Sequence, residues 1–399
     1  MKRVMLYSCV LIVITLLMTG CWSKKELNEF AIVVAVGIDK VEEEYEVTVQ
    51  IVNPSEIASN KSNGGRTPVV LYHAKGGSVF DAIRKLSTIT PRKPYLSHLG
   101  MMILGEELAE EGIAQTLDLF ARDQEIRGNF LVAVSDQAPA KDILSILSPL
   151  EKIPANKMYN SLKNSSEVFA TSTPTKFDDL LKDLEGKGKN TVLTTIRIMG
   201  NPEEGASNAN VEKTRPAAYL HYPGMAVFKN EKMVGLLNEE ESKGYSYIKD
   251  MVKSTATIIA CPEEGTITTE VMDSKTKVNG KMVKGKPSIE LEIHSNQNVA
   301  EVDCPINLGK EKTIAELDKI SSKTLKGIVT NTLDTIQNKY EADVFGFGEA
   351  IHRADPKAWK KLEKDWENIF SELEVHVKVD VKTKGLGTIV NTITKKQKE

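Results

Sequence analysis

Strand-type and helix-type patterns of apolar residues alternate along the first half of the chain. Residues 30–53 contain two β-branched runs, FAIVVAVGID and YEVTVQIV, separated by the charged turn KVEEE, and they predict a pair of strands. Further strands are predicted within LSHLGMMIL and NFLVAVS, and helices within SVFDAIRKLSTI, residues 106–122 and AKDILSIL. Strands that alternate with helices in this way predict a mixed sheet covered by helices.

The last third of the chain has longer elements. GTITTEVMDSKTKV and PSIELEIH predict two strands, and residues 373–382 alternate between apolar and polar side chains, as expected of a strand with one buried face. Thr313 and Glu316 have the spacing of a capping box at the start of a long helix. Asp355 before Pro356 is a suitable N-cap for a second helix. We therefore predict an antiparallel sheet backed by helices.

Changes in this pattern suggest the domain organisation. The polar run EGKGKN separates an N-terminal mixed-sheet domain, residues 21–186, from a small middle domain, residues 187–250. The long strands and helices then form a C-terminal domain, residues 251–395. The middle segment is expected to pack on a neighbour, because so small a core is marginal alone. The predicted fold class is α+β.

The first twenty residues have the layout of an export signal. Lys2 and Arg3 precede an apolar run over residues 4–18, and small residues follow in MTGC. As a helix this run is about 22 Å long, whereas a bilayer core is about 30 Å thick. The layout resembles a lipoprotein signal, in which residues 1–20 are removed and Cys21 receives a diacylglyceryl group, although such signals prefer Leu where Met18 stands. An uncleaved anchor helix is the alternative.

The net charge and the cysteine content of the chain limit the classes of function that it could have. The formal net charge is −3 with both signs interspersed, which gives no indication of nucleic-acid binding. Cys9 lies inside the signal and Cys21 is the lipid site, so Cys261 and Cys304 remain. In an exported protein these two could form a disulfide, and two separate buried thiols are the alternative.

The sequence contains no familiar catalytic or metal-binding motif. There is no P-loop, no His-Glu-x-x-His and no Gly-x-Ser-x-Gly, and the six histidines lack metal-ligand spacing. GFGEAI begins like a dinucleotide fingerprint but lacks its third glycine. We therefore predict no catalytic residue, no metal and no cofactor. An anchored hydrolase and a lipid-anchored solute-binding protein are the rival functions, and the second should show two domains of repeating βα units.

The two ends of the mature chain, GCWSKKELNEFAIVVAVGID and ADVFGFGEAIHRADPKAWKKLEKDWENIF, resemble the Ger(x)C family, the C-subunit lipoproteins of spore nutrient germinant receptors. HLGMMILGEE, GMAVFKNEKMVG and SKTKV fit the family between them. The resemblance implies three mixed α/β domains in a non-enzymatic lipoprotein on the outer face of the spore inner membrane. Its implied partners are two integral membrane subunits, A and B, with which it triggers germination when nutrients arrive; no small-molecule ligand is assigned to it.

The segment DVFGFGEAIHR is the densest run of glycine, aromatic and charged residues. We interpret it as a structural element, with a binding surface as the alternative, because glycines allow close backbone approach and acid–base pairs four residues apart stabilise helices. The following tryptophans are interpreted as core. The residues concerned are Phe345, Gly346, Phe347, Gly348, Glu349, Arg353, Trp359 and Trp366.

Overall fold

The structure, a computed structural model, describes residues 3, 5, 7, 8, 29–58, 66–186, 188–262 and 264–386. The described residues form a mixed α/β molecule with a ten-stranded sheet and a four-stranded sheet. The predicted fold class is therefore confirmed. Cys21 lies outside the described residues.

The larger sheet combines parallel and antiparallel strands. Its strands are β1 (Phe30–Val41), β2 (Glu44–Val52), β3 (Val69–Gly76), β4 (Lys93–Tyr95), β5 (Met101–Leu104), β6 (Leu131–Ser135), β7 (Val192–Gly200), β8 (Ala218–His221), β9 (Met225–Lys229) and β10 (Lys232–Leu237). They lie in the order β10-β9-β7-β6-β5-β1-β2-β3, with β4 beside β1 and β8 beside β7. Strands β7, β6, β5 and β1 are mutually parallel. Every residue of β5 and β6 is buried, which explains their continuous apolar sequences.

Helices cover both faces of this sheet. They are α1 (Pro54–Ala58), α2 (Val79–Leu86), α3 (Glu106–Glu111), α4 (Ala114–Arg122), α5 (Ala140–Ser145), α6 (Pro154–Val168) and α7 (Phe177–Glu185). One apolar cluster joins α2, α3, α4 and α7 to one face of the sheet. A second cluster joins α5 and α6 to the other face. The described part of residues 21–186 thus contains β1 to β6 and the seven helices α1 to α7.

The segment predicted as a separate middle domain extends this same sheet. It contributes β7 to β10 together with α8 (Pro202–Gly205), α9 (Ala209–Glu212) and α10 (Glu239–Ile248). Among the described residues it has no sheet of its own. α10 begins with a full capping box between Asn238 and Glu241.

The four-stranded sheet forms the C-terminal part of the chain. Its strands are β11 (Thr255–Ala260), β12 (Thr266–Val283), β13 (Lys286–Asp303) and β14 (Glu374–Gly385), in that order. The pairings β11–β12 and β12–β13 are antiparallel as predicted, but β14 runs parallel to β13. A parallel neighbour needs a long crossover, and the helical segment between the two strands supplies it.

This crossover begins with the long helix α11 (Glu311–Thr335). The predicted capping box is wrong: α11 begins two residues before Thr313, after Lys310, which makes no side-chain cap. The Asp355 cap is correct, because its carboxylate accepts hydrogen bonds from Lys357 N and Ala358 N at 3.0 and 2.9 Å. The remaining helices are α12 (Phe347–Ala354), α13 (Pro356–Leu362) and α14 (Trp366–Ser371), and a short 3₁₀ segment separates the last two.

Candidate functional site

The segment that returns the chain from α11 to β14, residues 341–371, is referred to below as the joint. A turn of π-helix, Ile336–Tyr340, precedes it. Gly346 then has φ +78°, a left-handed conformation that favours glycine, and it stands immediately before α12. The glycine in the motif is therefore required by the turn.

The centre of the joint is the buried carboxylate of Asp343. Its Oδ1 accepts hydrogen bonds from Gly346 N and Phe347 N at 2.9 and 3.0 Å. Its Oδ2 accepts from Gly348 N at 2.7 Å and from Trp366 Nε1 at 3.0 Å. Burial raises the pKa of the Asp343 carboxyl, while these four donors act in the opposite direction. One side chain thus fixes the start of α12 and the indole of α14.

The two tryptophans pack edge to face in the core. Their ring centroids lie 5.1 Å apart, and both side chains are buried. Gly348 lies against them so closely that an added Cβ would be 2.7 Å from Trp359 Cη2 and 2.9 Å from Trp366 Nε1. Gly188 lies against the same ring. Two glycines therefore make room for the tryptophan pair.

Aromatic contacts continue from the joint into α10. Phe345 stacks on Phe347 at 5.1 Å, and the ring of Tyr245 lies 6.0 Å from that of Phe345. By contrast, Glu349 and Arg353 face solvent and approach each other only to 4.0 Å. An exposed pair of this kind contributes little to stability.

The joint also binds the ten-stranded sheet. Asn190 N donates to Asp343 O at 2.7 Å, and Lys249 Nζ donates to Phe345 O at 3.0 Å. Burial lowers the pKa of the Lys249 ammonium, and the charge of Lys189 acts in the same direction. One apolar cluster includes strand residues of both sheets, so the joint closes the interface between them.

Six of the eight residues singled out in the C-terminal motif are thus brought together around one carboxylate, whereas Glu349 and Arg353 face solvent. Sequence reasoning missed Asp343 itself, although an acidic residue three positions before Gly346 was a usable signal for a side-chain cap. It also missed Gly188 and Lys249, which come from distant parts of the chain. Cys261 and Cys304 lie away from the joint and are joined by a disulfide, with their Cα atoms 6.5 Å apart.

A cavity of about 460 Å³ lies at the carboxyl ends of β1 and β5. Parallel sheets commonly bind ligands at this edge. Its buried carboxylates are engaged within the protein: Asp39 accepts from Ala140 N at 2.7 Å and from Lys141 N at 3.1 Å, and Glu46 pairs with Lys141 Nζ at 3.1 Å. Burial raises the pKa of Asp39. Across the described ranges, no group of three or more His, Cys, Asp or Glu side chains could hold a metal ion.

Two family models match most of the chain. The spore germination protein N-terminal domain matches residues 23–198, and the spore germination B3/GerAC-like C-terminal model matches residues 223–387. Spore germination protein KC of Bacillus subtilis (strain 168) is 30% identical over 98% of this chain and 98% of its own length. The chain belongs to the Ger(x)C family. The predicted resemblance is therefore confirmed.

Other Ger(x)C proteins are similar over equally long stretches. The putative spore germination protein YfkR of Bacillus subtilis (strain 168) is 27% identical over 98% of this chain and 99% of its own length. The crystal structure of the GerBC protein matches 87% of this chain and 96% of its own, with a TM-score of 0.55 and 20% identity. This likeness shows the fold.

The two Ger(x)C family models meet inside the larger sheet. The first ends within β7, and the second begins just before β9, which pairs directly with β7. The joint and the disulfide both belong to the second. None of the helices among the described residues is both long enough and apolar enough to cross a bilayer.

Proposed function

We propose that this chain is the lipid-anchored, non-enzymatic C subunit of a spore germinant receptor. It resides on the outer face of the spore inner membrane and acts with two integral membrane subunits, A and B, to trigger germination in response to nutrients. The observation that carries this proposal is the similarity to spore germination protein KC over 98% of both chains. Because the similarity spans both sheets, it applies to the whole subunit.

The internal geometry supports a binding or scaffolding role. Asp343 has four fixed hydrogen-bond donors, and Asp39 caps the start of α5. Both carboxylates are therefore committed to holding the fold. A general acid or base must instead reach the proton that it transfers.

The decisive test replaces the lipid-bearing cysteine in spores. Cys21→Ala should abolish the diacylglyceryl modification, release the subunit from the inner-membrane fraction and weaken the response to the nutrients whose effect is lost when the gene is deleted. Cys9→Ala is the matched control, because it alters a cysteine of the removed signal and should leave lipidation intact. Mass spectrometry of the membrane-extracted protein that found Met1 retained and Cys21 unmodified would contradict the anchor.

The subunit partners require a separate experiment. Cross-linking of intact spore inner membranes, followed by purification of this chain, should recover the A and B subunits together with it. A chain that is lipidated but recovered without either subunit would contradict the receptor role and leave the anchor in place.

A further inference from the structure

An acid-free, basic stretch lies between α2 and β5. Residues 82–105 contain no Asp or Glu, although the formal net charge of the chain is −3. The same stretch contains Arg84, Lys85, Arg92 and Lys93, and all four are exposed. No acidic residue interrupts this run of cations in the sequence.

Exposed apolar side chains accompany these cations. Phe80 is 49% exposed and Ile89 is 51% exposed. Phe80 also borders a groove of about 270 Å³ between α2 and α4, with Leu119 and Ile126 on its walls. An apolar side chain beside exposed cations is the composition that anionic membrane surfaces attract.

Two of the four cations form ion pairs with carboxylates of the protein, and the other two do not within the described residues. Lys85 pairs with Asp81 at 2.9 Å, and Lys93 pairs with Glu125 at 3.3 Å. Arg84 lies over the ring of Phe80, 4.8 Å from its centroid. Within the part of the chain that the structure describes, neither Arg84 nor Arg92 forms an ion pair, so both guanidinium groups can meet anionic headgroups.

This surface lies close to the start of β1, which is close in sequence to the expected start of the mature chain. Phe30, the first residue of β1, pairs with Lys93 in the parallel β1–β4 ladder. Phe30 stands nine positions after Cys21, a span of at most about 30 Å when fully extended. An acylated Cys21 therefore keeps this surface within about 30 Å of the bilayer, a step that rests on the proposed function.

We propose that the amino-edge patch, formed by Phe80, Arg84, Ile89, Arg92 and Lys93, contacts the headgroups of an anionic bilayer. The lipid anchor limits the distance between the molecule and the membrane. The patch determines which side of the molecule faces the membrane. A membrane fits better than a protein partner, because the patch lies at the end of β1 from which the anchor segment extends and combines the two guanidinium groups of Arg84 and Arg92 with isolated apolar side chains.

Vesicle binding without the lipid anchor tests this proposal. The mature chain, residues 21–399, with Cys21→Ser should bind phosphatidylglycerol–phosphatidylcholine vesicles more tightly than vesicles of phosphatidylcholine alone. Arg92→Glu should weaken binding to the anionic vesicles at least fivefold, the effect of about one cation at a membrane surface. Ile89→Glu should also weaken it, and added salt should weaken binding of the parent.

Matched controls come from the four-stranded sheet. Ile258→Glu replaces an apolar side chain that is 67% exposed, and Lys277→Glu reverses an exposed cation. Both should bind vesicles like the parent. Equal loss in patch and control variants, or no preference for anionic vesicles, would overturn the proposal. Patch variants that bind vesicles normally but no longer co-purify with the membrane subunits would overturn it in favour of a protein interface.

The outcome is independent of lipidation, because the tested chain carries no acyl group. A failure here leaves the Cys21 anchor untouched, and a failure of the anchor appears separately in the mass spectrum of the wild-type protein.

Discussion

Two glycines within helices differ in what surrounds them, and this difference predicts opposite effects of the same substitution. Gly348 in α12 faces the tryptophan pair, and its added Cβ would lie 2.7 Å from Trp359 Cη2. A Cβ added to Gly327 in α11 would have no atom within 4 Å apart from those of its chain neighbours and of the surrounding helix backbone. Gly348→Ala should lower the free energy of unfolding by about 1–3 kcal/mol, whereas Gly327→Ala should raise it by up to about 1 kcal/mol. Urea denaturation of the mature chain measures both, and shifts in the same direction would contradict this account of the joint.

Trp366 has two roles that two variants can separate. Trp366→Ala should lower the free energy of unfolding by about 3–5 kcal/mol, because it leaves a cavity beside Trp359. Trp366→Phe retains most of the ring but removes one donor from Asp343, and should therefore cost about 1–3 kcal/mol. If thermal melts of the two variants match that of the parent while spores carrying them ignore nutrients, the joint is a contact surface.

The residues that sequence reasoning placed correctly are those whose partners are local. Asp355 caps the two residues that follow Pro356, so a four-residue pattern contains the whole interaction. Thr313 matched a local pattern as well, but the helix begins at Glu311. Asp343 could be placed only in part, because one of its four donors comes from Trp366, in a different helix.

At the scale of elements, the disulfide ties the end of β11 to the loop that follows β13. It closes a separation of 43 residues, and on the chain-entropy model such a bond stabilises by about 4 kcal/mol. Replacing both Cys261 and Cys304 by Ser should lower the melting temperature of the mature chain. Adding a reductant to the parent should lower it similarly and leave the double variant unchanged. Full alkylation of both thiols in denatured, unreduced protein would rule out the bond.

The strands were easier to predict than their partners. β14 was predictable because apolar and polar residues alternate along it, and the structure retains that alternation. Its parallel alignment with β13 was not, because the pairing joins residues such as Ile289 and Val375 that lie far apart in sequence. The sequence carries no signal that a helical crossover will return the chain to the same end of the sheet.

At the scale of the whole molecule, the continuity of the larger sheet predicts which fragments will fold. A fragment of residues 21–186 lacks β7, β9 and β10, so it should leave the edge of β6 unpaired and aggregate. A fragment of residues 21–250 keeps all ten strands and should give a protease-resistant core. Expression of both fragments, with limited proteolysis, measures the difference. Cooperative melting of the shorter fragment would show that it is an independent domain.

The central position of β1 has a mechanical consequence. β1 is hydrogen-bonded to β5 on one side and to β2 on the other, and it is also the first strand among the residues that the structure describes. A force that pulls the chain by its amino terminus acts along β1, so it loads both rows of hydrogen bonds in shear and must break them together. An edge strand pulled sideways would instead separate one bond at a time. Forced unfolding is governed by the unfolding rate, and the sheet thus resists a tensile load most strongly at the point where a membrane tether would apply it.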